Sequence, residues 1–379
     1  MKKFLLPLIA ATLFAGKAEA QTQNITVLEY CPAPGQFVNV LPEVEEGMTK
    51  EQVLQACESQ LMNPVSGYLV HLGGYGGYIT VKFDHPVENK HGSDFLVKGN
   101  GMYAADDPKY GKETIGGSIE PGIVFVGVGD TPETAKWYEL AGSEYFTQEW
   151  HKNEITYYKP TAESGSATLP GSMYDTYIKH ELAWEYEPGK WAGYTGHYPK
   201  MAAHKQTYWP LWETADKLTF TGPRVPGNAV EYTVNGKPYW VQYRYSADAY
   251  GYADACPAND ELYSSFDIDW AVDDDGKPVA LDHVDFIRVM TGVLNCCGLL
   301  GETSTEIDKF EDLHLRQGYD DNPYIITPRP NPNDPTGIVI PSVADKNDAS
   351  GAYYTVTGQR VETLTRGHIY IHNGKKIVY

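Results

Sequence analysis

The stretch FDIDWAVDDDGKPVAL, residues 266–281, contains the pattern that decides the fold class. Every second residue from Phe266 to Val272 is large and apolar, as in a strand that buries one face. The dipeptide Asp275-Gly276 favours a tight turn into a second run, Pro278–Leu281. The stretch therefore predicts a strand over Phe266–Val272 that continues into a β-hairpin.

The same alternation recurs along the chain and indicates an all-β protein. It is clear in Tyr78–Phe83, and His283–Thr291 adds another apolar run. Further short runs lie between turn residues at Asp94–Lys98, Gly122–Val128, Trp137–Leu140, Glu154–Tyr158, Lys217–Thr221 and Tyr239–Tyr245. Many short strands and hardly any helix predict a β-sandwich of the jelly-roll kind, galactose-binding-like, over residues 66–325.

One helix is predicted in an N-terminal extension, residues 21–65. Thr49 followed three positions later by Gln52 is a capping-box pattern, and apolar residues then recur at helical spacing. We expect a helix over residues 49–61 that packs against the sheet.

The first twenty residues have the pattern of a secretory signal peptide. Lys2 and Lys3 precede an apolar run, and Ala18-Glu19-Ala20 is a small-x-small cleavage site, so we expect cleavage before Gln21. No stretch reaches the ~20 apolar residues of a membrane-spanning helix. The sequence predicts a secreted protein without a transmembrane span.

The negative net charge of the chain excludes some classes of binding partner. The formal net charge is -20, so nucleic acid and anionic lipid would be repelled, whereas neutral ligands and Ca²⁺ are compatible with it. The 29 tyrosines and 8 tryptophans fit carbohydrate stacking, and they equally fit aromatic residues on pleated surfaces.

The five cysteines are an odd number in an exported chain. Cys296 and Cys297 are adjacent and rarely bridge each other, so we expect Cys256 to pair with one of them. Cys31 and Cys57 complete the set, and no CxxC spacing indicates zinc.

The segment 160–215 lacks clear strand patterns and predicts a long irregular connection, which is usually functional. It is rich in large aromatic residues, which suit stacking on sugars or other flat ligands. The alternative is that these rings fill the edge of the sandwich. The predicted ligand-binding residues are Trp184, Trp191, Tyr194, Tyr208, Trp209 and Trp212.

Motifs for catalysis are missing: there is no HExxH, GxSxG, P-loop or GxGxxG before a helix. We interpret the glycines of Gly73–Gly77 as a tight turn that leads into a strand, in preference to a phosphate cradle. A carboxylate pair, either Glu181 with Glu185 or Glu302 with Glu306, would be needed for glycoside hydrolysis. A polysaccharide hydrolase is therefore the alternative to a binding protein.

Oxygen ligands for a structural Ca²⁺ occur near two predicted strand ends. The predicted ligands are Asp84, Glu88, Asp94 and Asn100, and residues 302–308 offer a second acidic cluster; the alternative is that these are solvated turns. A transition-metal site would need His71, His85 and His91 to converge, but one strand separates the first two by many residues at ~3.3 Å each, so we interpret all three as surface histidines.

The C-terminal segment, residues 349–379, follows a linker with five prolines, residues 326–348. Gly358–Val361, Ile369–Ile371 and Asn373–Ile377 resemble the C-terminal sorting domains of Bacteroidota proteins exported by type IX secretion. The resemblance implies a small β domain that engages the type IX machinery and leads to display on the cell surface.

Several segments between residues 27 and 315 also resemble one group, the Bacteroidota cell-surface proteins often associated with PKD domains. The likeness is carried by HLGGYGGYITVKFDHPVEN at 71–89, SDFLVKGN at 93–100, EPGIVFVGV at 120–128, WYELAGSEY at 137–145, EITYYKP at 154–160 and LLGETSTEID at 299–308. It implies a secreted or surface β-sandwich, and some related genes lie near outer-membrane uptake systems, including those for corrinoids. Together with the aromatic segment, this predicts a non-catalytic binding protein whose partner is a glycan, a corrinoid or a surface protein. A structural envelope protein is the remaining alternative.

Overall fold

A computed structural model of the chain describes residues 23–63, 65, 67–103, 116–148, 150–160, 176–201, 204–234 and 236–329, with residues 353–355, 360–361, 369–372 and 375–378 of the tail. The described part contains one α-helix, α1 (Lys50–Leu61). The strands are β1 (Ile25–Cys31), β2 (Val70–His71), β3 (Tyr78–Phe83), β4 (Val87–Glu88), β5 (Phe95–Lys98), β6 (Met102–Tyr103), β7 (Gly116–Ser118), β8 (Gly122–Val128), β9 (Lys136–Leu140), β10 (Trp150–Tyr158), β11 (Thr176–Glu187), β12 (Lys190–Pro199), β13 (Lys217–Arg224), β14 (Ala229–Val234), β15 (Lys237–Tyr243), β16 (Tyr252–Ala253), β17 (Ser265–Phe266), β18 (Ala271–Val272), β19 (His283–Val284), β20 (Phe286–Thr291), β21 (Glu306–Ile307), β22 (Lys309–Asp312), β23 (Tyr353–Thr355), β24 (Arg360–Val361), β25 (Ile369–His372) and β26 (Lys375–Val378).

The main sheet has the strand order β1-β3-β20-β8-β9-β18, and β16 also pairs with β8. A second sheet has the order β12-β11-β10-β13, and another sheet of four strands has the order β14-β15-β7-β6. Smaller sheets are formed by β17-β5-β22, β19-β4 and β2-β21. Neighbouring strands of the main and second sheets are antiparallel. Most strands are short, as the many turn residues of the sequence predict.

The main sheet is buried on both faces. On one face Ile79 and Val124 belong to a core that includes Phe95 of β5 and the apolar side of α1. On the other face Ile123 belongs to a second core, which it shares with Ile155 of β10. Because side chains alternate along a strand, the central strands β3, β8 and β20 supply residues to both cores. The prediction of an all-β sandwich with one helix is confirmed.

The elements with the clearest local signals are where the sequence predicts them. β3 and β8 have the predicted bounds. Helix α1 begins after Thr49, whose Oγ1 accepts the N–H of Gln52 at 3.3 Å, while Gln52 Oε1 accepts the N–H of Thr49 at 2.9 Å. Both bonds of the capping box are therefore present.

The predicted strand Phe266–Val272 is wrong as a single element. β17 ends at Phe266, residues Ile268–Trp270 form a 3₁₀ turn, and β18 begins at Ala271. The Asp267 carboxylate accepts the N–H of Asp269 at 2.8 Å and so caps the turn. β17 pairs with β5 and β18 with β9, so the chain changes sheets here. The hairpin at Gly276 is confirmed, since Val279 N–H donates to Ala271 O.

The prediction of an irregular segment over residues 160–215 is also wrong for its central part. β11 and β12 occupy residues 176–199 and form an antiparallel hairpin in the four-stranded sheet. Residues 161–175 lie outside the described part of the chain.

All five cysteines are free thiols, so the predicted disulfide bond from Cys256 is wrong. The Cys256 Sγ lies 3.2 Å from the hydroxyl oxygen of Ser264. Burial raises the pKa of this thiol to about 12, which makes it unreactive at neutral pH.

Both ends of the chain are described only in part. β1, which precedes the predicted boundary at residue 66, pairs with β3 and belongs to the main sheet. The predicted signal peptide and residues 330–348 of the predicted linker lie outside the described residues. β23–β26 form a four-stranded sheet of the tail, with His372 opposite Lys375. Within the described residues, no helix has the length and apolar character needed to span a bilayer.

Candidate functional site

The hairpin of β11 and β12 ends in a tight turn at Pro188-Gly189. Gly189 has φ +77°, which glycine adopts without a Cβ clash, and its N–H donates to Glu185 Oε1 at 2.5 Å. β10 pairs with the other edge of β11, so the hairpin is held within a sheet of four strands.

The inner face of this hairpin is covered only along part of its length. Ile178 and Leu182 are buried in the second core. Nearer the turn, Trp184 is half-buried and Tyr194 is 47% exposed. The two rings meet in a T-shaped contact with their centroids 6.2 Å apart. Trp184 packs against the second core, whereas the Tyr194 ring stays exposed at the end of the hairpin.

The outer face carries the Trp191 ring, which is 50% exposed. Trp191 pairs with Glu185, and next to them Ala183 pairs with Gly193, so small residues leave a flat area beside the ring. The Glu185 carboxylate lies 3.5 Å from the ammonium group of Lys152. We call this end of the hairpin the hairpin platform: Ala183, Trp184, Glu185, Trp191, Gly193 and Tyr194.

The other predicted aromatic ligands are not part of the platform. Tyr208 is fully buried and Trp209 is 3% exposed, so both belong to the second core. Trp212 stacks on Tyr30 with 5.6 Å between ring centroids, and it lines a separate cavity of about 200 Å³ together with Lys50. The structure thus places three of the six predicted residues at the end of one hairpin, with Trp184 and Tyr194 on its inner face and Trp191 on its outer face.

The four predicted calcium ligands do not converge on one ion. The Asp84 carboxylate lies 2.6 Å from His85 Nδ1, Glu88 is exposed, and Asp94 is fully buried. Asn100 donates its backbone N–H to a different carboxylate, Asp254. Among the described residues, another set of carboxylates lies close together.

Glu120, Asp254 and Glu306 form this set, which we call the acidic centre. One carboxylate oxygen of each lies within 4.8 Å of the others, and the three residues are 7%, 4% and 5% exposed. They precede β8, follow β16 and begin β21, respectively. Glu306 lies in the acidic cluster predicted at 302–308. No sequence pattern points to Glu120 and Asp254, because they are remote from Glu306 and from each other along the chain.

Hydrogen bonds hold two members of the centre in place. The Asp254 carboxylate accepts three backbone N–H groups at 2.9–3.0 Å. Glu120 Oε1 accepts the Gln242 side-chain amide at 2.9 Å and the N–H of Ser304 at 3.1 Å. Burial raises the pKa of all three carboxyls, and the other carboxylates add to the rise for Asp254 and Glu306.

His71 borders the acidic centre and is fully buried, so its interpretation as a surface histidine is wrong. Its Nδ1 accepts the N–H of Gly73 at 3.1 Å, and burial lowers its pKa to about 3. The ring is therefore neutral, with its proton on Nε2, which lies 2.6 Å from Ser304 Oγ. A ring that donates from Nε2 cannot accept the serine proton, so this pair does not form a nucleophile and base.

Neither carboxylate pair considered for hydrolysis has a suitable geometry. Glu181 and Glu185 are four residues apart on β11, which corresponds to about 13 Å. Glycosidases hold their two carboxyl groups about 5–9.5 Å apart across an open cleft. Glu302 and Glu306 are 1% and 5% exposed, so a polysaccharide cannot reach them.

No protein-family model matches this chain, and no curated protein does. The function must therefore be inferred from the hairpin platform and the acidic centre. Of these, only the platform is open to a large ligand.

Proposed function

We propose that this protein is an exported, non-catalytic binding protein that holds a neutral glycan on the hairpin platform. The observation that supports this most strongly is the exposure of the Trp191 ring on the outer face of a sheet-supported hairpin, beside the flat area that Ala183 and Gly193 leave. The Tyr194 ring is exposed on the inner face of the same hairpin and does not share this surface.

The chemistry around Trp191 favours a sugar. A pyranose ring has a flat C–H face that stacks on an indole ring, and the small side chains of Ala183 and Gly193 leave room for it. Its hydroxyl groups would donate to the carboxylates of Glu185 and of Glu154, which is opposite Ala183 on β10. The net charge of -20 disfavours an anionic ligand.

The first prediction concerns Trp191. We expect Trp191→Ala to weaken glycan binding at least about tenfold, because an aromatic ring at the centre of an interface contributes roughly 1.4–2 kcal/mol or more. Binding is measured by affinity electrophoresis in gels that contain soluble plant or host polysaccharides. Tyr68→Ala is the matched control, since Tyr68 is 45% exposed and lies outside the hairpin.

Two results would count against the proposal. Equal binding by Trp191→Ala and wild type would remove the platform from the interaction. Absence of glycan binding by the wild type would shift the proposal to a corrinoid, a surface protein or a structural envelope role. Circular dichroism of each variant separates loss of binding from loss of folding.

We further propose that the tail, residues 349–379, directs the protein to the cell surface through the type IX machinery. The similarity to sorting domains and the four-stranded tail sheet support this step. We expect deletion of the tail to move the protein from the surface to the periplasm, which cell fractionation and surface labelling would measure. Unchanged surface display would contradict it.

A further inference from the structure

The acidic centre has an excess of negative charge with no cationic side chain beside it. Among the salt bridges of the described residues, none joins Glu120, Asp254 or Glu306 to a lysine or arginine. The neighbouring imidazole of His71 is neutral, with Nε2 at 3.4 Å from Glu306 Oε1. Buried carboxylates in this arrangement must share protons or hold a metal ion.

The hydrogen bonds to Asp254 and Glu120 favour the ionised form of these two carboxylates. Asp254 receives only N–H donors, three in number, and Glu120 receives an amide and a backbone N–H. Such donors stabilise the negative form of a carboxylate. The carboxylates of Asp254 and Glu120 repel each other strongly when both are ionised in a dry interior. A proton on Glu306 would neutralise only the charge of Glu306 and would leave these two.

A further carboxylate has an oxygen without a partner. Glu302 is 1% exposed, and its Oε1 accepts the backbone N–H of Gln36, but its Oε2 is buried and has no hydrogen-bond partner among the described residues. A Cβ on Gly35 would lie 2.8 Å from His71 Cε1 and 3.1 Å from Glu302 Oε1, so the Glu302 carboxylate lies beside the histidine that borders the centre. Asn100, whose N–H binds Asp254, also has a buried Oδ1 without a hydrogen-bond partner among the described residues.

We propose that the acidic centre is a structural calcium site in which Glu120, Asp254 and Glu306 supply the carboxylate ligands. Oxygens around Ca²⁺ lie ~2.3–2.6 Å from the ion, and one oxygen of each carboxylate lies within 4.8 Å of the others, as one shared ion requires. Mg²⁺ usually keeps several of its waters, which suits it less to a site of buried carboxylates. An all-oxygen set also disfavours zinc, because His71 has no free nitrogen to offer.

The site would join three distant parts of the chain. Its ligands lie next to β8, β16 and β21, so one ion would hold the main sheet to the small β2-β21 sheet. The ion acts on the stability of the fold, and the proposal is independent of the glycan ligand. Calcium is abundant outside cells, where an exported chain would encounter it.

The test uses the full secreted chain. After dialysis against calcium and then gel filtration, we expect one calcium ion per chain by elemental analysis. Chelation should lower the melting midpoint by roughly 5 °C at near-neutral pH, and added Ca²⁺ should restore it more effectively than Mg²⁺. Glu306→Gln should lose both the ion and the response. Glu88→Gln, at an exposed carboxylate that the sequence predicted as a ligand, should keep both.

Three results would overturn the proposal. A wild-type chain without metal, whose midpoint does not respond to chelator, would show that the carboxylates share protons; Glu306→Gln would then raise the midpoint, since an amide resembles a protonated acid. Calcium retained by Glu306→Gln but lost by Glu88→Gln would place the ion on the surface. Restoration by Mg²⁺ as effective as by Ca²⁺ would refute calcium selectivity. The wild-type measurements need no variant and remain decisive if Glu306→Gln does not fold.

Discussion

Gly73→Ala is expected to lower the free energy of unfolding by about 2–5 kcal/mol, through two costs that add. Gly73 has φ +73°, a conformation in which a Cβ costs ~1–2 kcal/mol. A Cβ there would also lie 1.8 Å from the carbonyl oxygen of Ala33, so the backbone on both sides must move. Overpacking of this kind costs typically ~1–3 kcal/mol.

Gly47→Ala separates the two costs. Gly47 has φ +89°, but a Cβ built on it meets nothing within 4 Å. We expect it to lose only the conformational term, ~1–2 kcal/mol, when both variants are compared by urea unfolding. If Gly73→Ala and Gly47→Ala were equally destabilised, the close approach of the Gly73 turn to Ala33 would contribute nothing.

The glycines at 73–77 also illustrate what a single sequence can predict. Their interpretation as a tight turn that leads into a strand is supported by the approach to Ala33 and by β3, which begins at Tyr78. The bounds of β3 and β8 were predictable for a similar reason. Alternation in a strand and the capping box of α1 are local signals, and neither depends on the partner sheet.

Elements that depend on distant partners were not predictable. The run from Phe266 to Val272 alternates as a strand should, yet Asp267 caps a turn and the chain passes from β5 to β9 as its partner. The hairpin β11–β12 had a usable signal, because Ile178, His180, Leu182 and Trp184 alternate before Pro188-Gly189. The many aromatic residues around this hairpin mask that period.

The two candidate sites show the same contrast between features that the local sequence predicts and features that depend on distant parts of the chain. The hairpin platform could be found from composition, since three of the six predicted aromatic residues lie there, but burial of Tyr208 and Trp209 depends on the second core. The acidic centre joins residues 120, 254 and 306, and only the folded chain brings these together. In each case, a residue type indicates a chemistry, whereas its position depends on tertiary packing.

Asp267→Asn is expected to stabilise the protein increasingly as the pH rises from about 6.5 to 8. Burial, and then the charge of Asp94, raise the folded-state pKa of Asp267 to about 8, against ~3.9 in the unfolded chain. The stabilisation from this carboxyl is complete below about pH 4 and is lost as the pH rises towards 8, because only the unfolded state ionises freely. Asparagine keeps the cap on Asp269 and does not ionise.

The gap in unfolding free energy between Asp267→Asn and wild type should therefore widen by roughly 1–2 kcal/mol across that interval, since each unit of pKa difference corresponds to ~1.36 kcal/mol. The buried histidines contribute little to the pH dependence between pH 6.5 and 8. Burial lowers the pKa of His71 to about 3 and of His180 to about 4, so these rings stay neutral in the folded protein. They lower the stability only below about pH 6.5, where the histidines of the unfolded chain bind protons. Urea unfolding at several pH values measures the gap, with exposed Asp274→Asn as the matched control. Parallel curves for Asp267→Asn and wild type would mean that Asp267 ionises in the folded protein as it does in the unfolded chain.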